Sequence, residues 1–320
     1  MKRRSFLTGT AALAALPTLS FADGYPSRSV RLVIPFSPGG GTDTFGRIIA
    51  GGLQAELGQA FVPDNKPGAG GNIGADMVAK AAPDGYTLLL AQDSLTIVPW
   101  LYKSLPFDVM KDFAHIGIGV YMPMVLVASR NLPAKDLKSL IEYTQKNPGK
   151  LSYGSPGVGT AHHLNFENFL LKTGTKMTHV PYKGAASMNA DLIAGNVDVA
   201  FTALSSALPL LSGEKLQAIA VGSAQRVAQM PALPTMAETL PGYEAHAWFG
   251  LSAPNRTPDA VIEKLSGAMQ KVLQKPEISK RLSDQGYRIQ PTTPPEMVRV
   301  MRAEYERWRD LSKKVGIVPE

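Results

Sequence analysis

The residues best placed to do chemistry in this chain are glycines, serines and threonines lying where an apolar run gives way to a helical pattern. Ser37-Pro38-Gly39-Gly40-Gly41 follows the run Leu32-Val33-Ile34, and Thr42-Asp43 caps a helix carrying Phe45, Ile48, Ile49 and Leu53. Strand, bare loop and helix start together make an anion seat, because unpaired N–H groups and the positive helix end face whatever lies above the strand. The arrangement recurs. Gly154-Ser155-Pro156-Gly157-Val158-Gly159-Thr160 leads to a helix opening near Ala161 and His162, and Pro181-Tyr182-Lys183-Gly184-Ala185-Ala186 leads to another. Gln92-Asp93-Ser94 and Thr202 end two further strands, where open α/β sheets bind ligands. None of these loops contains arginine. They suit a carboxylate held by backbone N–H groups, hydroxyls and ordered water. Two facing loops suit a ligand with an acid at each end.

Several enzyme signatures come close, and each lacks a required residue. Gly39-Gly40-Gly41-Thr42-Asp43-Thr44 opens like a dinucleotide fingerprint, with Asp64 at a suggestive distance, but Thr44 replaces the third glycine. Gly154 to Thr160 has the glycine spacing of a P-loop, with threonine in the lysine position. No serine sits in a G-x-S-x-G elbow. Of His115, His162, His163, His179 and His246, only two are neighbours, and adjacent helical residues point about 100° apart, so no metal site is expected. Solvated or helix-capping histidines fit better. Arg47, one turn into the first helix, reads as half of a structural ion pair. No catalytic group, cofactor or metal is assigned.

The elements that position these loops follow the chain. Ala60-Phe61-Val62-Pro63 is a second strand, Ile73 to Ala81 a helix, and Tyr86 to Ala91 a third strand. Ile116 to Ser129 reads as two apolar pieces joined at Tyr121-Met122-Pro123, a crossover into a second α/β unit. There, Lys135 to Lys146 is a helix, Leu151-Ser152-Tyr153 and Val197 to Phe201 are strands, and Leu216 to Val221 is another. The return crossover is placed where prolines 231, 234 and 241 break the chain, and Trp248 to Leu251 is a strand beside the first crossover. The last quarter is helical, with a capping box at Thr293-Pro294-Pro295-Glu296. Its stripe of Met297, Met301, Tyr305 and Trp308 reads as core.

At 320 residues two α/β domains are expected. Residues 1–22 read as an export signal, with basic Lys2-Arg3-Arg4, an apolar stretch, and cleavage near Ala22. Arg3-Arg4 leaves both the twin-arginine and the general secretory route open. The 33 basic and 26 acidic residues give +7, and +4 once Lys2, Arg3 and Arg4 are removed, too mild and scattered for a nucleic-acid partner. The absence of cysteine fits an exported domain stable on its core.

Three stretches carry a specific likeness: Pro35 to Asp43, Asn65-Lys66-Pro67-Gly68-Ala69-Gly70-Gly71-Asn72-Ile73-Gly74-Ala75, and Ala82-Pro83-Asp84-Gly85-Tyr86-Thr87-Leu88. With Tyr153-Gly154-Ser155, His179 to Gly184 and Trp248-Phe249-Gly250, they resemble the Bug family of extracytoplasmic solute receptors of tripartite tricarboxylate transporters. The resemblance implies a type II periplasmic-binding-protein fold, two α/β lobes joined by two crossovers and closing on a small carboxylate. The lobes map to 23–124 with 226–320, and to 125–225. The first carboxylate loop maps to Ser37–Asp43 and the second to Ser155–His162, with Tyr182–Ala185 bordering the same cleft. Main chain and bridging waters are expected to hold the proximal carboxylate. Ser37, Gln92-Asp93-Ser94 and Thr202-Ala203-Leu204-Ser205 depart from the usual family residues near the ligand's expected distal end. Asp93 could face a ligand amine or hydroxyl, but a cap for the next helix is the favoured reading. The expected partners are a small carboxylate and a membrane permease, with the receptor itself a monomer. A sensory role with a membrane histidine kinase and a nucleotide-dependent enzyme are the alternatives.

Overall fold

The computed structural model describes residues 24–317 and 319; the leader reading falls outside them. In chain order the elements begin β1 (Val30–Ile34), α1 (Gly41–Leu57), β2 (Phe61–Asn65), α2 (Asn72–Ala79), β3 (Thr87–Gln92), α3 (Ser94–Ile97) and β4 (Phe113–Ser129). They continue α4 (Leu137–Lys146), β5 (Ser152–Ser155), α5 (Ala161–Thr173), β6 (Thr178–Pro181), α6 (Ala185–Ala194), β7 (Val199–Ala203), α7 (Leu204–Ser212) and β8 (Leu216–Val221). Last come β9 (His246–Pro254), α8 (Asp259–Gln274), α9 (Pro276–Asp284), β10 (Arg288–Ile289) and α10 (Pro294–Lys314).

The strands form one continuous mixed sheet in the order β2-β1-β3-β9-β4-β7-β5-β6. β1 lies parallel to β2 and β3, and β5 parallel to β6 and β7. The long strand β4 runs through the middle of the molecule. Up to Pro123 it pairs with β9 and β10, and from Met124 onward with β7 and β8. The stretch expected as two pieces is therefore one strand of 17 residues. A second connection crosses beside it, where Met124 N–H donates to Ala245 O at 3.0 Å and Gly222 N–H to Met124 O at 2.7 Å.

Both halves are sheets buried on two faces, which explains their unbroken apolar runs. Leu32 and Ile34 share one core with Phe45, Ile49 and Met269 from α1 and α8. Val33, pointing the other way, joins Ala75, Val78, Met297 and Met301 from α2 and α10. In β7, Val199 and Phe201 face Phe166 and Phe169 of α5, while Ala200 faces Met188 and Leu192 of α6. Glycine lets α1 settle onto the sheet, since a Cβ at Gly46 would stand 2.7 Å from Ile34 Cδ1. Trp308 is core as expected, packed with Leu311 against Ile97 and Leu164. The capping box at Thr293 and Glu296 is present. No helix among the described residues is long and apolar enough to cross a membrane.

Candidate functional site

The loop after β1 is braced from behind by Asp43. Its Oδ2 accepts from Gly39 N–H at 3.0 Å and Arg47 Nε at 2.9 Å, and its Oδ1 from Asn65 Nδ2 at 2.9 Å. Asn65 Nδ2 also donates to Phe36 O at 2.9 Å. Burial pushes the Asp43 carboxyl up, but these bonds outweigh it and hold the group below its ordinary value. Arg47 makes the expected ion pair. Gly40, not Thr42-Asp43, is the N-cap of α1, and no side chain caps this end. Gly40, Gly41 and Thr42 line a cavity; Asp43 is buried outside its lining, and Ser37 and Gly39 are exposed and do not line it. Tyr287 donates to Gly41 O at 2.6 Å, and Thr42 Oγ1 to Gln92 Oε1 at 2.7 Å, which fixes the lip of the seat.

The second loop is held by an aromatic column. Ser155 ends β5, donates to Gly157 O at 3.0 Å, and meets His179 Nε2 at 2.7 Å. Gly159 N–H donates to His163 Nδ1 at 3.0 Å, which places that imidazole's proton on Nε2. His163 stacks on His179 at 4.1 Å, His179 on Tyr153 at 4.7 Å, and Tyr153 on Phe166 at 4.0 Å. Thr160 caps α5, accepting from His163 N–H at 3.3 Å and donating to Gly157 O at 2.8 Å. Gly159, Thr160 and His162 line the cavity, while Ser155 and Gly157 build the loop without reaching it. The histidines depart from the expected solvated or capping roles. His163 and His115 are buried, and burial lowers His115, His162 and His163 to about 4, so all three are neutral near pH 7.

Of the third group, only Ala185, at the start of α6, lines the cavity. Tyr182 turns away and donates to Asp191 Oδ2 at 2.9 Å, and Gly184 is the N-cap behind Ala185. Thr202 is buried within β7, and its neighbours Ala203 and Ser205, at the start of α7, take the position in the wall.

Four helix N-termini, those of α1, α5, α6 and α7, thus open on one cavity of about 560 Å³. No lysine or arginine lines it among the described residues. The rest of the wall is largely apolar. Met122, Met124, Ala247 and Phe249 come from the two crossovers, and Ile97, Val98, Leu101 and Tyr102 from the segment after β3. Sequence reasoning missed these. The crossover residues could have been found from topology, since chain passing between two halves must border the cleft between them. No group of three His, Cys, Asp or Glu side chains could hold a metal ion among the described residues.

Gln92 and Asp93 both line the cavity. Asp93 does not cap α3. Its own backbone is already helical (φ −52°, ψ −27°), and its carboxyl makes no capping bond. Burial, and then the nearby Glu304, push its pKa well above the usual carboxylate range. Glu304 is raised by burial too, against bonds from Trp248 Nε1 at 2.6 Å and Thr96 Oγ1 at 3.3 Å.

The sequence from 45 to 317 matches the model of the tripartite tricarboxylate transporter family receptor. Among solved structures, one of an R. palustris protein with adipate is 35% identical, with a TM-score of 0.83, over 92% of this chain and 100% of that one. The periplasmic binding protein BugD is 34% identical, with a TM-score of 0.80, over 92% of this chain and 100% of its own. MatC from Rhodopseudomonas palustris with bound malate is 31% identical, with a TM-score of 0.77, over 90% of this chain and 99% of its own.

Proposed function

The chain belongs to the tripartite tricarboxylate transporter receptor family, and from that premise we propose that it captures a small mono- or dicarboxylate outside the cytoplasm and presents it to a membrane permease. It is a periplasmic solute-binding receptor, not an enzyme, like the proteins it resembles. The observation that carries the ligand class is the convergence of four helix N-termini on a cavity without basic side chains. Each such end attracts anions through unpaired N–H groups and the helix dipole. That chemistry accords with the adipate and malate bound by two related structures.

We place the lobes at 23–124 with 226–320 and at 125–225, since β4 changes partners between Pro123 and Met124. Ligand-driven closure requires that the acid touch both lobes, because equal affinity for open and closed states shifts nothing. The proposed contacts are Gly40, Gly41 and Thr42 from one side and Gly159, Thr160, His162 and Ala185 from the other.

A panel of mono- and dicarboxylates, followed by thermal shift and titration calorimetry, tests this. At least one acid raises the melting temperature without being turned over. Gly40→Val sharpens the test, since a Cβ there meets nothing within 4 Å and projects into open space rather than into the fold. It should cost more affinity than Lys183→Ala, which removes an exposed cation. The reverse order would identify side-chain charge, not the backbone seat, as the clamp.

A further inference from the structure

His162 is the second residue of α5, and among the described residues it is the one side chain lining the cavity that can become a cation, since no lysine or arginine does so. Neither of its ring nitrogens has a hydrogen-bond partner among the described residues, and neither is sealed inside the protein as His115 Nε2 is. The ring is only partly buried. Its neighbour His163, by contrast, is committed to Gly159 and to the stack on His179. Burial alone lowers His162 to about 4. The positive end of α5 works in the same direction. The other titratable groups in the cavity wall are Asp93 and Tyr102, both after β3. Burial favours the uncharged form of Asp93, and its Oδ2 is closed off by protein. Lys183, in the loop before α6, stays outside the lining. Of the elements packed on α5, β7 offers no titratable group, and β5 offers Tyr153, which is bonded to Glu167 of α5 itself. α10 offers Glu304, bonded to Trp248, Arg307, bonded to Asn165, and Tyr305, set against Trp100. None of these shifts the His162 ring. The protein on its own thus presents to the cleft a neutral imidazole with two unanswered nitrogens.

We propose that His162 takes up a proton as a carboxylate enters, so that the cleft acquires a cation only when it holds an anion. This rests on the helix-end seat argued above and adds to it the side chain that can answer charge with charge. A carboxylate within about 4–6 Å stabilises the imidazolium and pushes the group back up toward its ordinary 6.5. The proton comes from solvent and leaves with the acid. Between about 4 and 6.5 the filled site binds the proton and the unfilled site does not. Affinity therefore rises as pH falls through 6.5 and levels off near 4. A ring that stays neutral and only donates from one nitrogen gives no such slope.

Titration calorimetry with adipate, malate and succinate tests the link, run at pH 7.5 and 5.5 and in two buffers of different ionisation heat. The gain in affinity from pH 7.5 to 5.5 should be about tenfold larger in wild type than in His162→Gln, which cannot titrate. Comparing the two proteins cancels the ionisation of the acid itself. Wild type should also take up about one proton more than the variant on binding at pH 5.5. Nitrogen-15 NMR of the histidine rings needs no variant. At pH 5.5 the His162 nitrogens should read as neutral without the acid and as doubly protonated with it. An equal pH dependence in wild type and His162→Gln overturns the proposal, and so does a ring that stays neutral with an acid bound. In either case the acid still binds, so the seat stands and only the proton link falls. If none of the three acids binds either protein at either pH, the carboxylate seat falls with it.

Discussion

A proton on His163 Nδ1 would break the bond that holds Gly159 in the cleft wall. Burial first, and then the stacked ring of His179, keep this imidazole neutral down to about 4. In the unfolded chain it titrates at its ordinary value of 6.5. Between those values the unfolded state binds the proton and the folded state does not, so stability is full above pH 6.5 and declines as pH falls toward 4. The groups facing the ring are His179, Tyr153 and, 3.9 Å from its Nε2, Glu167. Moving from pH 7.5 to 5 should therefore cost on the order of 2 kcal/mol in urea unfolding through this residue. His163→Gln should flatten part of that slope, and His115 and His162 should account for much of what remains. The sequence showed that His162 and His163 point apart, but not that His163 is core. Its stacking partner His179 arrives only through the pairing of β5 with β6. Asp93 was misread for a comparable reason. Asp before a helix suggests a cap, yet a cap needs an extended backbone, and β3 turns into α3 too sharply to allow it.

At the scale of elements, the close contact between β4 and β9 sets the geometry of the crossover. A Cβ at Gly250 would lie 2.3 Å from Gly117 O and 2.9 Å from Ile118 Cα, both backbone, so the strands would have to separate. Gly250→Ala should cost about 1–3 kcal/mol, the usual range for overpacking, measured by chemical denaturation. Gly267, on the outer face of α8 with nothing within 4 Å, is the control. Its alanine variant should stabilise by up to about 1 kcal/mol through helix propensity. The strand-and-helix alternation was legible almost throughout because buried strands and amphipathic helices leave different apolar periods. β4, α7, α9 and β10 were not. Pro123 reads as a break in β4, but its missing N–H falls at a handover, where one edge of the strand passes from β10, paired at Val120 and Tyr121, to β7, paired from Met124. α7 was hidden by Pro209, an internal breaker that a short helix tolerates while burying Leu204 and Ala207.

Across the whole molecule, Leu101 from one half meets Gly159 from the other in the wall of the cavity. A Cβ at Gly159 would stand 2.3 Å from Leu101 Cδ1, and its φ of +74° is already one that side chains resist. A substitution there has two separable effects, a wedge between the halves and strain within the loop. Gly159→Ala should weaken carboxylate binding about tenfold or more and reduce the compaction seen by small-angle scattering on adding ligand. Adding Leu101→Ala removes the wedge but leaves the strained backbone and the bond to His163 untouched. The double variant should then recover compaction and part of the affinity, while its melting temperature stays below that of Leu101→Ala alone. Contacting residues are where such cycles depart from additivity, so the recovered fraction measures the contact between halves. If Leu101→Ala recovers nothing, the loss at Gly159 belongs to the loop, and closure does not depend on this contact.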